Sequence, residues 1–207
     1  MSRQALKASN ISSKTAKLIA ISGGIGSGKS IVCRVLKALG YTVYDCDSEA
    51  KAIMDADASI KSMIAERIAP RAINPDGSIN RPVLAAEVFA SPHKLQALNS
   101  AVHGAVRADI ARRAAECPAG IMFVETAILY PSGLDSMVDT VWEVTAPTPL
   151  RVRRVMKRNA FTENQVLDRI AVQDSYNPEH PHPSVHRLTN DDTTPLLPQI
   201  EALLLNS

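Results

Sequence analysis

The sequence predicts an α/β fold in which a parallel sheet carries helices on both faces. Three observations lead there. Lys17–Ser22 (KLIAIS) is a short apolar run that stops at a glycine and reads as a buried strand. Lys29–Leu39 places Ile31, Val32, Val35, Leu36 and Leu39 on one helical face, and Gly40 follows as a helix stop. Tyr41–Tyr44 is a second apolar run, ending in Asp45-Cys46-Asp47. Strand, glycine loop, helix and strand make a parallel crossover unit.

The remaining elements continue that alternation. Ser48 to about Cys117 reads mostly as helix. Ile60, Met63, Ile64 and Ile68 fit one helical face there, Pro75-Asp76-Gly77-Ser78 forms a turn, and Leu95, Leu98, Val102, Val106 and Ile110 mark a long helix from near Pro92. Ile121–Glu125 and Val138–Val144 are the next expected strands, with Trp142 as a core side chain. Leu150–Arg158 is helical, and Thr162–Gln173 opens on the capping box Thr162-Glu163-Asn164-Gln165. Val185–Thr189 is a last strand and Leu196–Leu205 a closing helix. The expected organisation is a core of 17–47, 118–150 and 184–207, a helical subdomain over 48–117, a lid over 151–183, and a flexible arm at 1–16.

Composition narrows the class. With 207 residues, 45% hydrophobic and 21% charged, the chain can bury a substantial core. No apolar run is long enough to span a bilayer, and the polar, basic start lacks the apolar centre of a secretory signal. Cys33, Cys46 and Cys117 are odd in number and widely spaced, which fits free thiols in a reducing cytoplasm better than disulfides or a zinc site. Charge is nearly balanced, with a net of +2, so nothing calls for a nucleic-acid or membrane partner.

Gly23–Ser30 reads GGIGSGKS and satisfies G-x-x-x-x-G-K-[ST], the P-loop pattern, between a strand and an amphipathic helix where it must lie to work. Glycines such as Gly24, Gly26 and Gly28 let the backbone wrap a phosphate. The amides of Gly26, Ser27, Gly28, Lys29, Ser30 and Ile31 can point at its oxygens, helped by the positive helix end. Lys29 is expected to bridge the β- and γ-phosphates of ATP, and the Ser30 hydroxyl to ligate Mg²⁺. The fold becomes a P-loop three-layer parallel sheet with helices on both faces, a helical substrate-binding insertion and a helical lid.

A P-loop does not separate kinase, motor and GTPase. The chain has no Asn-Lys-x-Asp base-reading motif, and its length suits a small-molecule kinase. Asp45 and Asp47 stand at the carboxyl end of a strand, where ligands of open α/β sheets bind and where a carboxylate can take a proton from an acceptor hydroxyl. Asp47 could equally cap the helix starting near Ser48. Arg151, Arg154 and Arg158 share one helical face, with Arg153 and Lys157 nearby. They read as a phosphate clamp, or as a solvated basic face.

At this point the residues resemble the dephospho-coenzyme A kinase family over nearly everything after residue 17. The resemblance is carried by GGIGSGKS, by Val43-Tyr44-Asp45-Cys46-Asp47, and by Asp76-Gly77-Ser78-Ile79-Asn80-Arg81. Further on it is carried by Leu84, Val88-Phe89, Leu98-Asn99, Val102-His103, Ala146-Pro147, Arg154–Arg158, Arg169-Ile170, Gln173 and Asn190-Asp191. It implies transfer of a phosphoryl group from MgATP to the ribose 3′-hydroxyl of dephospho-coenzyme A, in the cytoplasm, by a monomer or small homo-oligomer. It implies Asp47 as general base, Lys29, Arg154 and Arg158 as phosphate stabilisers, Asn190 in the nucleotide site, and His103, Arg107 and Arg81 facing the acceptor.

The chain departs from the family pattern at four places. Gly104 follows His103 where the family has proline, loosening an expected helix start. Ala127-Ile128-Leu129-Tyr130-Pro131 lacks the usual glutamate, Asn159 stands for an aspartate, and Ile31 for a threonine. Glu125 can place Mg²⁺ through water or be a plain strand-end acid. Two other acceptor classes stay open: a different small molecule such as a nucleotide, or none, in a nucleotide-binding regulator. His180, His182 and His186 have metal-like spacing but sit in a proline-rich stretch, which reads as a solvated loop.

Overall fold

The computed structural model describes residues 15–118, 120–176 and 178–206. The expected arm lies outside the described residues up to position 14. Its last residue, Ala16, is buried and donates its amide to the Ala114 carbonyl at 3.1 Å.

Among the described residues five strands form one sheet: β1 (Lys17–Ser22), β2 (Thr42–Asp45), β3 (Ile121–Glu125), β4 (Thr140–Thr145) and β5 (Val185–Thr189). The order is β2-β3-β1-β4-β5 and every pairing is parallel. Strand alternation divides the core. Leu18 and Ala20 of β1, with Met122 and Val124 of β3, face one side; Ile19, Ile21 and Phe123 face the other. Each fully buried aliphatic contributes about 1.5–3 kcal/mol. Trp142 is 1% exposed and packs on Phe123, as expected. β4 begins two residues later than Val138 because the Asp139 carboxylate accepts the Leu18 amide at 2.8 Å and leads the strand in.

The second face is covered by α1 (Lys29–Ala38) and α8 (Leu196–Leu204) through Val32, Leu36 and Ile200. The first face carries the helices between β2 and β3: α2 (Cys46–Ala56), α3 (Ala58–Met63), α4 (Arg81–Phe89) and α5 (Pro92–Ala115). Their starts are locally encoded. Asp45, Asp57, Asn80 and Ser91 each accept first-turn amides, and Pro82 and Pro92 need no amide partner there. Ile60, Ile64 and Ile68 are buried on one side as expected, although the helix loosens to a π turn over Ile64–Ile68.

α6 (Thr148–Asn159) and α7 (Glu163–Asp174) form a separate pair held by Val152, Val155, Val166 and Ile170. The capping box at Thr162 and Gln165 forms in full. One residue of the phosphate loop, Ile25, packs into this small third core.

Candidate active site

The chain crosses to opposite sides of β1, so the crevice at its carboxyl end is the natural ligand position of such a sheet. Gly23–Gly28 turns there into α1. Gly28 has φ 101°, and a Cβ on it would lie 1.9 Å from Nδ2 of Asn190, so glycine is required by conformation and by space. Gly24 is pressed equally hard, by the Arg151 guanidinium.

Two of the six amides expected to face phosphate are already used. Ser27 donates to the Gly24 carbonyl at 3.2 Å and Ile31 to Gly28 at 2.9 Å, closing the loop turn. Among the described residues the amides of Gly26, Gly28, Lys29 and Ser30 have no protein partner, and these four are the open cradle. The Ile31 side chain is exposed, so its difference from threonine leaves the turn unchanged.

Lys29 folds back on the loop, its Nζ donating to the carbonyls of Gly23 at 2.7 Å and Gly24 at 3.3 Å. Burial lowers its proton affinity and the nearby Arg151 adds to that, against the pull of Glu125 and Asp47. Lys29, Ser30, Asp47, Glu125, Arg154 and Arg158 border one cleft of about 530 Å³. A hydroxyl and two carboxylates beside a phosphate cradle suit Mg²⁺, which takes few protein oxygens and keeps waters and phosphate oxygens for the rest.

The reading of Asp47 as a helix cap is overturned. α2 starts at Cys46, and the Asp45 carboxylate is the cap, accepting the amides of Asp47 and Ser48 at 3.1 Å each. Asp47 lies in the first turn, exposed, and lines two cavities: the phosphate cleft and a small apolar one of about 80 Å³ shared with Cys46, Val102, His103 and Thr126.

The basic face of α6 does not act as one unit. Arg151 turns inward, donating Nε to the Ile25 carbonyl at 2.9 Å, with its Nη2 buried and without a partner. Arg154 reaches the carbonyls of Gly26 at 3.3 Å, Ser27 at 3.4 Å and Asn190 at 3.1 Å, and pairs with Asp192. Arg158 borders the cleft, its Nε held at 2.8 Å by the Asn159 carboxamide, so the residue replacing the family's aspartate still orients it. Asn190 is buried and donates Nδ2 to the Ser27 carbonyl at 2.8 Å, bracing the loop from below.

The residues expected to face the acceptor disperse. His103 lies in the middle of α5, not at a helix start, so Gly104 loosens no terminus. Burial and the charge of Arg107 lower its proton affinity. Arg107 anchors the loop after β3, donating to the Ser132 carbonyl at 2.6 Å. Arg81 borders neither cavity; it pairs with Asp55 at 2.8 Å, tying α4 to α2. Where the family's glutamate is missing, the Tyr130 hydroxyl accepts the His182 amide at 3.2 Å. His182 is no freely solvated side chain. Its Nδ1 lies 3.1 Å from the Ser184 amide and 3.0 Å from the Ser184 carbonyl oxygen, and its Nε2 lies 3.1 Å from the Val138 carbonyl oxygen.

Sequence reading missed how α7 meets the loop. The Ile25 amide donates to Oε1 of Gln173 at 2.6 Å, across 148 residues. No local pattern announces such a contact; only the position of Gln173 on the inner face of an amphipathic helix hints at it.

The chain resembles known proteins over most of its length. The family described as Dephospho-CoA kinase matches residues 17–194. A dephospho-CoA kinase from Porphyromonas gingivalis is 33% identical over 186 residues, 90% of this chain and 92% of its own. The solved structure of TT1252 from Thermus thermophilus superposes with a TM-score of 0.73 at 30% identity, covering 93% of this chain and 96% of its own. A dephospho-CoA kinase from Campylobacter jejuni shares the fold, with a TM-score of 0.63 at 18% identity, over 91% of this chain and 96% of its own. With a match spanning all the secondary structure from β1 to the end of β5, the chain belongs to the dephospho-CoA kinase family.

Proposed function

We propose that this chain transfers the γ-phosphoryl group of ATP to the ribose 3′-hydroxyl of dephospho-coenzyme A, the last step of coenzyme A synthesis. One observation carries the chemistry: Asp47 borders both the phosphate cleft of Lys29 and Ser30 and the cavity of His103. A base there reaches a hydroxyl arriving from one side while the phosphate waits on the other.

In this reading the carboxylate of Asp47 takes the acceptor proton. The freed oxygen attacks the γ-phosphorus, the bond to the β,γ-bridging oxygen breaks, and ADP leaves. The amides of Gly26, Gly28, Lys29 and Ser30 hold the phosphates. Lys29 exchanges its carbonyl partners for phosphate oxygens, whose charge restores the proton affinity that burial lowers. Arg158 borders the same space and can meet the transferred group, while Arg154 braces the loop and Asp192 until nucleotide arrives. Ser30, with Glu125 beside it, would hold Mg²⁺, which supplies positive charge against the phosphates. Residues 48–117 serve as the acceptor subdomain and 151–183 as the lid on a core of 17–47, 118–150 and 184–207. The enzyme works in the cytoplasm as a monomer or small homo-oligomer; among the described residues no helix is long and apolar enough to cross a membrane.

The test is incubation with MgATP and dephospho-coenzyme A, read by mass spectrometry. Coenzyme A and ADP forming in equal amounts is the expected result. ADP release that ignores the acceptor would reject the reading.

A further inference from the structure

Beside the contacts of Arg154 with Gly26 and Ser27, the lid pair grips the phosphate loop at Ile25. The Ile25 side chain enters the core of α6 and α7, its carbonyl accepts Nε of Arg151, and its amide donates to Oε1 of Gln173. The last of these fixes more than a distance. A carboxamide is planar, with an acceptor on one branch and two donors on the other. With Oε1 bound to an N–H, the amide cannot be flipped, because Nε2 would then face a donor. The Nε2 branch is therefore turned away from Ile25. Among the described residues it has no protein hydrogen-bond partner. Gln173 borders the cleft that also holds Lys29, Asp47, Arg154 and Arg158.

We propose that Gln173 is a catalytic residue, anchored through Oε1 to the Ile25 amide so that Nε2 donates a hydrogen bond to an oxygen of the phosphoryl group in flight. The inference rests on the phosphoryl-transfer reading of the cleft and deepens it. An uncharged donor suits this place, because Lys29, Arg154 and Arg158 already crowd the cleft with positive charge. A donor set on a rigid loop contact also needs little rearrangement as charge builds on the transferred oxygens. The anchor joins donor and cradle, so the donor stands in place only when α7 rests on the loop.

Two substitutions separate catalysis from simple lid docking. Gln173→Glu keeps an oxygen for the Ile25 amide and loses the donor. Gln173→Met keeps the length and loses both. If Gln173 acts on the phosphoryl group, both variants lose about 10²-fold in kcat. KM for ATP and for dephospho-coenzyme A should stay within about threefold in both, the pattern of an interaction made only in the transition state. If Gln173 only docks the lid, Gln173→Glu keeps wild-type kcat and Gln173→Met alone is impaired; that result overturns the proposal. Undiminished kcat in Gln173→Met overturns it as well, as does a loss in either variant confined to KM. Wild-type chain that makes no coenzyme A would bring down the underlying reading and this inference together. Active wild type beside an active Gln173→Glu brings down this inference alone.

Discussion

The two sides of the cleft are made of different material. In the proposed reaction the nucleotide side is built around main chain: four open amides on a loop whose Gly24 and Gly28 leave no room for a Cβ, bordered by Lys29, Ser30, Arg154 and Arg158. In the same proposed reaction the acceptor side is side chain: His103 from α5 and Asp47 from α2, with Arg107 spent on a loop carbonyl. Main-chain recognition suits a phosphate, which offers the same oxygens in every nucleotide. Side-chain recognition suits an acceptor that must be told from others. Substitutions should therefore fail differently on the two sides.

The largest effects are expected where the two sides meet. Asp47→Asn keeps the size of the side chain and removes the base, and should lower kcat by about 10²–10⁴-fold. The Asp45 cap that starts α2 is untouched, so the melting temperature should hold. Lys29→Ala should cost a similar factor and weaken ATP as well, since Lys29 serves ground state and transition state alike. Equal kcat in Asp47→Asn and wild type would return the base to another residue.

Gly28→Ala comes next. The added methyl meets Nδ2 of Asn190, and a φ of 101° suits no L side chain, at a cost of about 1–2 kcal/mol before the collision is counted. Both the melting temperature and the affinity for ATP should fall. Loss of affinity without loss of stability would show that Asn190 yields and that only the cradle is spoiled.

The contrast between the sides also explains what the sequence could reveal. The phosphate loop is eight consecutive residues between a strand and a helix, so spacing alone exposes it. The caps at Asp57, Asn80, Ser91 and Thr162 are equally local. The order of the strands, the inward turn of Arg151 and the hold of Gln173 on Ile25 depend on contacts across more than a hundred residues. Helical spacing puts Arg151, Arg154 and Arg158 on one face and stops there. It does not say that the phosphate loop lies against that face and takes Arg151 and Arg154 for its carbonyls. Arg81 is a similar case: the family resemblance implies an acceptor contact, while the structure pairs it with Asp55, 26 residues away.

A smaller effect is expected from acid. Burial and Arg107 hold the proton affinity of His103 below its ordinary value of 6.5. The unfolded chain then takes up a proton before the folded one does as pH falls. This contribution to stability is whole above about pH 6.5 and is lost as pH drops from there toward the folded value. His103→Gln removes the difference, so between pH 7.5 and 5.5 its melting temperature should fall less than that of wild type, scanned at about these values. Parallel curves would show that His103 binds its proton equally in the folded and the unfolded chain.

The smallest effect belongs to Arg81. Its ion pair with Asp55 is half exposed, at 41% and 55%, and water weakens such pairs to about 0–1 kcal/mol. Arg81→Ala should lower the melting temperature slightly and leave KM for dephospho-coenzyme A within about twofold, because a residue outside both cavities adds no acceptor contact. Asp55→Ala should match it, since either change breaks the same pair. A tenfold rise in KM for Arg81→Ala alone would mean that Arg81 leaves Asp55 to meet the acceptor. The acceptor side would then be assembled by its substrate, in contrast to a nucleotide side built in advance.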